Sequence, residues 1–384
     1  MAAQKDLRTT VAQAHGLTAA QLAQLELELE RLRADVVARL GAEDVAYIRR
    51  LIRIQRWSEV GGRASLFLGF LPPFWLAGVA ALSLSKILDN MEIGHNVLHG
   101  QYDWTNDPAL SSTEFEWDSS CPAKGWQHYH NYLHHTFTNI TEKDRDLGYG
   151  VIRISGAAPW SPANLGNPLY ALGLALMFDH GIMFHDVDIG HVRAGKRSWV
   201  DAKQSLKNGL RKSGTLAFRD YVMWPAFTGP LFLSTVAADA LANVVRNIWS
   251  FIIIFCGHFP SGALEFTEEE CENESKGHWY FRQMLGSANI TGRPLFHIMS
   301  GNLSFQIEHH LFPDIPARRY QQIAPQVREI CQRYGIPYNT GRLSRQFGSV
   351  IGKIFRYALP GRTKAKATIP AHSPLRTPSE LVAA

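Results

Sequence analysis

Apolar residues in this chain gather into a few long runs, separated by polar, turn-rich stretches. The first run, residues 64–85, carries no charge and has about the ~20 residues a spanning helix needs. Pro72-Pro73 breaks it in the middle, and a single crossing would leave the basic N-terminal flank outside, against the positive-inside tendency. The pattern predicts a tight hairpin bent at the prolines, whose second arm continues to His99. Asp89, Glu92 and His95 on that arm are costly beside lipid and should face the protein interior. Residues 169–178 are apolar but run into Asp179, His180, His185, Asp186 and Asp188, so a broken or interfacial helix competes with a span there. Residues 221–238 and 247–264 are free of charge and suit the two arms of a second hairpin. If 169–190 spans instead, the basic stretch 193–219 is left outside; either way the number of crossings is even.

Ahead of these runs the pattern changes to helical periodicity. Thr18 and Gln21 have capping-box spacing, and Leu22, Leu25, Leu29, Leu32 and Val36 follow in alternating steps of 3 and 4. Two heptads are too few for a coiled coil, so this helix is expected to pack on the protein's own cytosolic face. A second helix sets Val45, Ile48 and Ile52 on one side with Arg49, Arg50, Arg53 and Arg56 around it, as an interfacial helix would. After Pro260 the composition is that of a soluble protein to about residue 345, and the stretch from Gly361 is rich in Pro, Ser, Thr and Lys, the composition of a disordered tail. The expected organisation is cytosolic N-terminal helices over 1–56, a membrane domain over 57–345 and a largely disordered tail over 346–384. The fold class is an all-α integral membrane protein, with transmembrane helical hairpins and a cytosolic helical cap.

Composition adds little that the pattern lacks. The net charge is +5 with histidine neutral, and the basic residues flank the apolar runs, which suits a membrane surface and no nucleic acid. The four cysteines are scattered without a CxxC, so free thiols in a reducing compartment are expected, though a disulfide is not excluded. No N-terminal signal peptide or internal repeat is read from the sequence.

The histidines change the picture. His95 and His99 are four apart, as are His130 and His134, and residues at that spacing share one helix face. His135 follows His134 directly and His309 precedes His310; adjacent side chains diverge by roughly 100° on a helix, so such pairs serve two different centres. His258 lies at the end of an apolar run, where a polar ring wants a partner. Neutral imidazole ligates iron, zinc and copper alike. A zincin's HExxH is missing because no His-Glu dipeptide occurs. Structural zinc would want four ligands, commonly with cysteine, and the paired Glu-x-x-His motifs of soluble di-iron bundles are absent. A nitrogen-rich dinuclear iron site beside apolar helices is what is left, able to reduce O2 and attack an unactivated C–H bond. No GxGxxG follows a strand, so the electrons must come from another protein. The expected ligands are His95, His99, His130, His134, His135, His258, His309 and His310. His15, His278 and His372 read as surface residues, His128, His180, His191 and His297 as non-ligands, and His185 stays open.

These motifs resemble the membrane fatty acid desaturases over roughly residues 45–345. His95 to Gly100 looks like their first histidine box, His130 to His135 followed by Thr136-Phe137-Thr138-Asn139 like the second, and Gln306-Ile307-Glu308-His309-His310 like the third box of the glutamine-containing branch. Tyr320, Ala324-Pro325, Cys331 and Gly335-Ile336 resemble that branch's terminal helix. Asn90-Met91-Glu92-Ile93-Gly94 and the segment Gln283 to Asn289 look like bacterial acyl-CoA Δ9 desaturases. The resemblance implies two non-haem irons, O2 as co-substrate and a cis double bond placed in a long acyl chain carried by CoA or a membrane lipid. It also implies a bacterial inner membrane, with the site on the cytoplasmic side. An acyl-lipid desaturase of other regiochemistry, or a hydroxylase using the same iron core, is the alternative. The cytochrome b5 motif His-Pro-Gly-Gly of many relatives is absent, so a separate ferredoxin or NADPH-dependent reductase is expected, docking near Lys196, Arg197, Arg318 and Arg319. Trp117 and Trp126 are candidates to line an acyl tunnel. Gln306 stands where many desaturases have histidine, and is expected to hold a water or an iron-bound oxygen ligand, or to bind one iron weakly.

Overall fold

Four helices form the body of the molecule, and the computed structural model describes residues 16–141 and 143–361. Helix α1 (Ala19–Val37) begins at Thr18, whose side chain caps it in a full capping box with Gln21. Its leucine stripe, Leu22, Leu25, Leu29, Leu32 and Val36, is buried against the globular end of the protein, in one core with Tyr280, Met284, Leu311 and Val327. Gly277 makes that packing possible, since a Cβ there would sit 2.3 Å from the carbonyl oxygen of Leu22.

The expected interfacial helix and the first hairpin arm are one element, α2 (Ala42–Leu66). Its exposed arginines 49, 50, 53 and 56 lead without a break into the apolar run. The turn falls over residues 67–71, because Pro72 and Pro73 are tolerated in a first helical turn where no N–H is needed. They open α3 (Pro72–Ile87). Helices α2 and α3 run antiparallel, a Cβ at Gly62 meeting Leu82 and one at Gly78 meeting Leu66. Helix α3 then widens into a π-wound turn over Leu88–Gly94 and ends in an α-turn, His95–Leu98.

A short helix α4 (Ala123–Gln127) is likewise continued by a π-wound stretch, His128–His134, and a last turn His135–Phe137. Helices α5 (Asn167–Leu176) and α6 (Phe178–Val187) divide the third apolar region into two short pieces. The basic stretch forms α7 (Trp199–Phe218), which passes through a π-turn at Arg219–Met223. Of the runs 221–238 and 247–264, expected as two arms, residues 232–238 and 247–258 are instead joined in one helix, α8 (Phe232–His258), while 221–231 complete the preceding helix and the turn into it. The charges that seemed to divide them, Asp239 and Arg246, both face inward: Asp239 pairs with Arg63, and Arg246 lies 3.5 Å from Asp179. Among the described residues, the stretch 229–258 is the one helix long and apolar enough to cross a bilayer.

The rest of the globular end comprises α9 (Lys276–Gly286), α10 (Gln306–Leu311), α11 (Tyr320–Arg333) and a small parallel pair of strands, β1 (Asn289–Thr291) and β2 (Thr340–Arg342). Residues 346–358, assigned by composition to a disordered tail, lie in helix α12 (Leu343–Ala358). Gln346, Val350, Ile354 and Ala358 recur every fourth residue and are buried, and the carbonyls of Tyr357 and Ala358 accept from Arg153 and Trp160. His15, His372 and the stretch from residue 362 lie outside the described residues. All four cysteines are free.

The two ends of the bundle differ. The turns 67–71 and 224–231 lie together at one end, where Trp75 donates to the carbonyl of Ser234, and Phe67, Phe70, Leu71, Phe74, Leu76, Phe227 and Leu233 are exposed there. The histidines converge at the other end.

Candidate metal centre

The extension of α3, the segment after α4, the end of α8 and helix α10 deliver imidazoles to one place. One nitrogen each from His95, His99, His130 and His309 lies within 4.8 Å of the others, and so does one each from His134, His258 and His310. His135 stands between the two groups, its ring centroid 4.5 Å from that of His310 and 4.8 Å from those of His99 and His309. The π-winding at His128–His134 brings His130 and His134 into a stack 5.1 Å apart; π-turns inside helices recur at functional sites. His134 and His135 diverge, with ring planes at 78°, and His134 joins the second group while His135 lies between the two.

The nitrogens facing outward are tied down. Both carboxylate oxygens of Asp144 lie 3.1 Å from His134 Nδ1, and Asp144 is itself fixed by the backbone N–H groups of Asn139 and Asp146. His310 Nδ1 reaches Gln283 Oε1 at 3.1 Å. His309 Nδ1 reaches the Tyr320 hydroxyl at 3.3 Å, and that hydroxyl donates to the carbonyl of Phe312, so it accepts a hydrogen bond from His309 Nδ1–H. His95 Nδ1 donates to Asn96 Oδ1 at 3.2 Å. The contacts of His95, His309 and His310 set a tautomer with hydrogen on Nδ1 and the Nε2 lone pair directed inward, the arrangement that metal-ligating histidines use.

The inward nitrogens have no protein partner. Nε2 of His99, His130, His134, His309 and His310, Nδ1 of His258 and both nitrogens of His135 are buried without a hydrogen bond among the described residues. A buried polar atom left alone costs about 1–3 kcal/mol, so this many in one place need a common partner. Burial lowers the pKa of His130, His135, His309 and His310, which keeps them neutral and ready to donate lone pairs. His134 differs: burial lowers it, but Asp144 and Asp146 outweigh burial and raise it to about 9. The set has the neutral nitrogen donors, closed surroundings and outer supports that a polynuclear metal site requires.

The remaining histidines are employed elsewhere. His297 bonds Ser304 and the carbonyl of Gly292, His191 bonds Asp188, His278 bonds Ser275, and His128 stacks on Tyr132. His180 is half-buried outside the cluster. His185 Nε2 lies 3.2 Å from Asp146, one residue removed from the ligand groups. Trp126 stacks on His130 at 4.4 Å and Trp117 packs on Trp126 at 5.1 Å, so both brace the histidines. Gln306 Nε2 lies 3.0 Å from His258 Nε2, so its amide partners a histidine. Asp144 and Asp146 went unread in the sequence; the signal was an Asp-Arg-Asp run shortly after the second histidine cluster. Arg318 and Arg319, expected at a docking surface, hold the buried Asp44 of α2 instead, Arg319 at 2.7 Å.

A helical bundle that ends in eight converging imidazoles defines a histidine-rich scaffold with side chains grouped as a metal ion would need them. The chain belongs to the fatty acid desaturase family, whose family model matches residues 71–342. It is 43% identical over 350 residues to an NADPH-dependent stearoyl-CoA 9-desaturase of Mycobacterium tuberculosis, covering 90% of this chain and 82% of that protein. It is also 26% identical over 304 residues to an sn-1 linoleoyl-lipid 6-desaturase of Synechocystis sp., covering 76% of this chain and 82% of that one.

Proposed function

We propose that the protein introduces a cis double bond at C9 of a stearoyl-length acyl-CoA, using O2 and electrons from a separate reductant. The observation that carries this reading is the convergence of eight imidazoles, seven of them with buried nitrogens that have no partner among the described residues, in a chain so similar to a stearoyl-CoA 9-desaturase. In this reading His95, His99, His130 and His309 hold one iron, His134, His258 and His310 hold the other, and His135, beside His310, gives the second its fourth nitrogen. Two irons supply the redox capacity to activate O2 against a C–H bond.

The chain's own residues do the rest. Asp144, Gln283, Tyr320 and Asn96 hold ring orientation through the outward nitrogens. Trp126 covers His130 and shields the site from water, and exclusion of water prevents side reactions of a strong oxidant. Gln306 acts through His258. Turning its amide by 180° lets His258 Nε2–H donate to the amide oxygen and leaves the Nδ1 lone pair for metal. The apolar end of the bundle, with exposed Phe67, Phe70, Phe74 and Phe227, is the part inserted in a bacterial inner membrane, as an apolar patch of that extent calls for. Helices α2 with α3, and α7 with α8, are then the hairpins, and the histidine end faces the cytoplasm.

The test is expression in a host lacking its own Δ9 activity, with feeding of labelled stearate and analysis of the acyl chains by mass spectrometry. A 9,10 double bond is expected, together with two irons per purified chain. A hydroxylated product, an unchanged chain, or a purified protein carrying zinc in place of iron would each overturn the reading.

A further inference from the structure

Helices α2 and α7 stand side by side where they enter the bundle, with a cleft of about 560 Å³ between them. Gln55 and Glu59 of α2 line it on one side, Asn208 and Arg211 of α7 on the other, and Trp117 lines it too. The carboxylates of this cleft have partners within the chain. Glu116 holds Lys212, Asp118 holds Arg219 at 2.9 Å, Glu59 lies 3.9 Å from Arg63, and Asp89 accepts from the backbone N–H of Asp118. Arg211 is left over. It is exposed and has no ion pair among the described residues.

Other cations of the same kind surround it. Lys207 and Lys203 precede Arg211 on successive turns of α7, and Arg50, Arg53 and Arg56 lie on successive turns of α2 beside Gln55. All five are exposed and likewise have no ion pair among the described residues, whereas Arg49 is held by Asp107 at 2.9 Å. Like charges one turn apart destabilise a helix, so this gathering calls for a counter-charge from outside the chain. Depth says where it comes from. At about 1.5 Å per residue, Arg56 stands roughly 17 Å and Arg53 roughly 21 Å from the apolar turn that begins at residue 67. Arg211 stands roughly 20 Å from the other apolar turn, at Trp224. A hydrocarbon core ~30 Å thick, with its far face at those turns, would cover all three. Trp57, next to Arg56 and 69% exposed, is the type of residue that sits at headgroup level. A span this short draws the bilayer surface in toward it, and headgroups come with the surface.

We propose that α2 and α7 together bind an acidic phospholipid of the cytoplasmic leaflet, its phosphate drawn down onto Arg53, Arg56 and Arg211. This rests on the membrane placement proposed above. The acyl chains lie along the apolar side chains below, where Trp57, Val60, Leu210 and Phe218 are exposed. A guanidinium pairs with two phosphate oxygens at once, which suits a phosphodiester. The surplus of cations disfavours a headgroup that carries its own ammonium, so a phosphatidylglycerol-type lipid is selected over phosphatidylcholine or phosphatidylethanolamine. A soluble anion would neutralise the arginines and lysines but leave the apolar side chains below them uncovered. The lipid lies across the cleft and ties α2 to α7 at the level where the cleft keeps them apart.

The test uses the full-length, iron-loaded protein in dodecyl maltoside, with dioleoyl-phosphatidylglycerol and dioleoyl-phosphatidylcholine as probes. Native mass spectrometry counts the lipid that each sample retains. The wild type should prefer phosphatidylglycerol about tenfold or more at low salt, and less as salt rises. Arg53→Gln/Arg56→Gln and Lys207→Gln/Arg211→Gln should each lose that preference, with iron content and the lipid-free thermal midpoint unchanged. Arg31→Gln, an exposed change on α1, should keep it. Equal retention of the two lipids by the wild type, or an undiminished preference in both double variants, would overturn the proposal. So would competition by inorganic phosphate, or by the tail-less headgroup glycerophosphoglycerol, as strong as by the intact lipid. Displacement by stearoyl-CoA at matching concentration would make this the substrate's seat instead, and overturn it as well. Insertion of the wild type into nanodiscs of phosphatidylcholine alone reports on the membrane placement separately.

Discussion

A buried arginine in the bundle gives the sharpest stability test. Arg63 is 5% exposed and bonds Asp220 at 2.8 Å as well as Asp239. Its two partners are not equal. Asp220 also has Lys86 at 2.7 Å and Arg219 at 2.8 Å, whereas Asp239 is fully buried and has Arg63 as its one recorded cation among the described residues. Arg63→Met therefore abandons Asp239 more than Asp220. Breaking a buried pair from one side costs about 3–5 kcal/mol, while replacing both partners by apolar groups is neutral or favourable by about 1–4 kcal/mol. Arg63→Met should lower the midpoint of thermal unfolding in detergent by at most roughly 6–20 °C, at about 2–4 °C per kcal/mol. Arg63→Met/Asp239→Leu should recover most of that loss. Unfolding followed by tryptophan fluorescence measures both. A double variant as unstable as the single one would mean that Arg63 acts through something other than Asp239, and the reasoning fails.

Other consequences follow from the histidine centre. A Cβ on Gly257 would stand 2.9 Å from the Gln306 amide, so Gly257→Val should push Gln306 off His258 and match Gln306→Ala, each cutting turnover about 10–100-fold while His309→Ala loses iron outright; equal iron loss in Gln306→Ala and His309→Ala would make Gln306 a ligand. In the metal-free protein His134 keeps its extra proton up to about pH 9, and metal must displace that proton. Apparent iron affinity should therefore rise by about tenfold per pH unit toward pH 9 and level off above it, and isothermal titration showing a flat profile from pH 7 to 9 would contradict the Asp144 and Asp146 pairing. Arg282, 2% exposed, donates to the carbonyls of Thr136 and Thr138 and pairs with Glu274. Arg282→Met should unfold the turn after His135 at a cost of about 3–5 kcal/mol, read as a lowered thermal midpoint with iron loss; an unchanged midpoint would show that turn to be held by other contacts.

Local signals proved most legible where one physical rule acted alone. The capping box at Thr18 and the leucine stripe of α1 follow from helical periodicity, and both are present in the structure. The histidine clusters converge because spacing fixes which side chains share a face, although that argument assumed α-helical winding. The structure uses π-winding at His128–His134 and in the turn before His95, which no hydrophobic pattern encodes. Charge was the less reliable guide. Asp239 and Arg246 seemed to divide two arms, yet inside a bundle a charge needs only a buried partner, and Arg63 and Asp179 supply them from distant helices. The same logic hid Asp144 and Asp146. An acidic residue in a polar loop reads as solvated surface until the fold sets it against an imidazole. Arg318 and Arg319 show the reverse case, a basic pair that looked like a docking patch and is used up holding Asp44. In each instance the missing quantity was the identity of a partner that only the fold brings into contact.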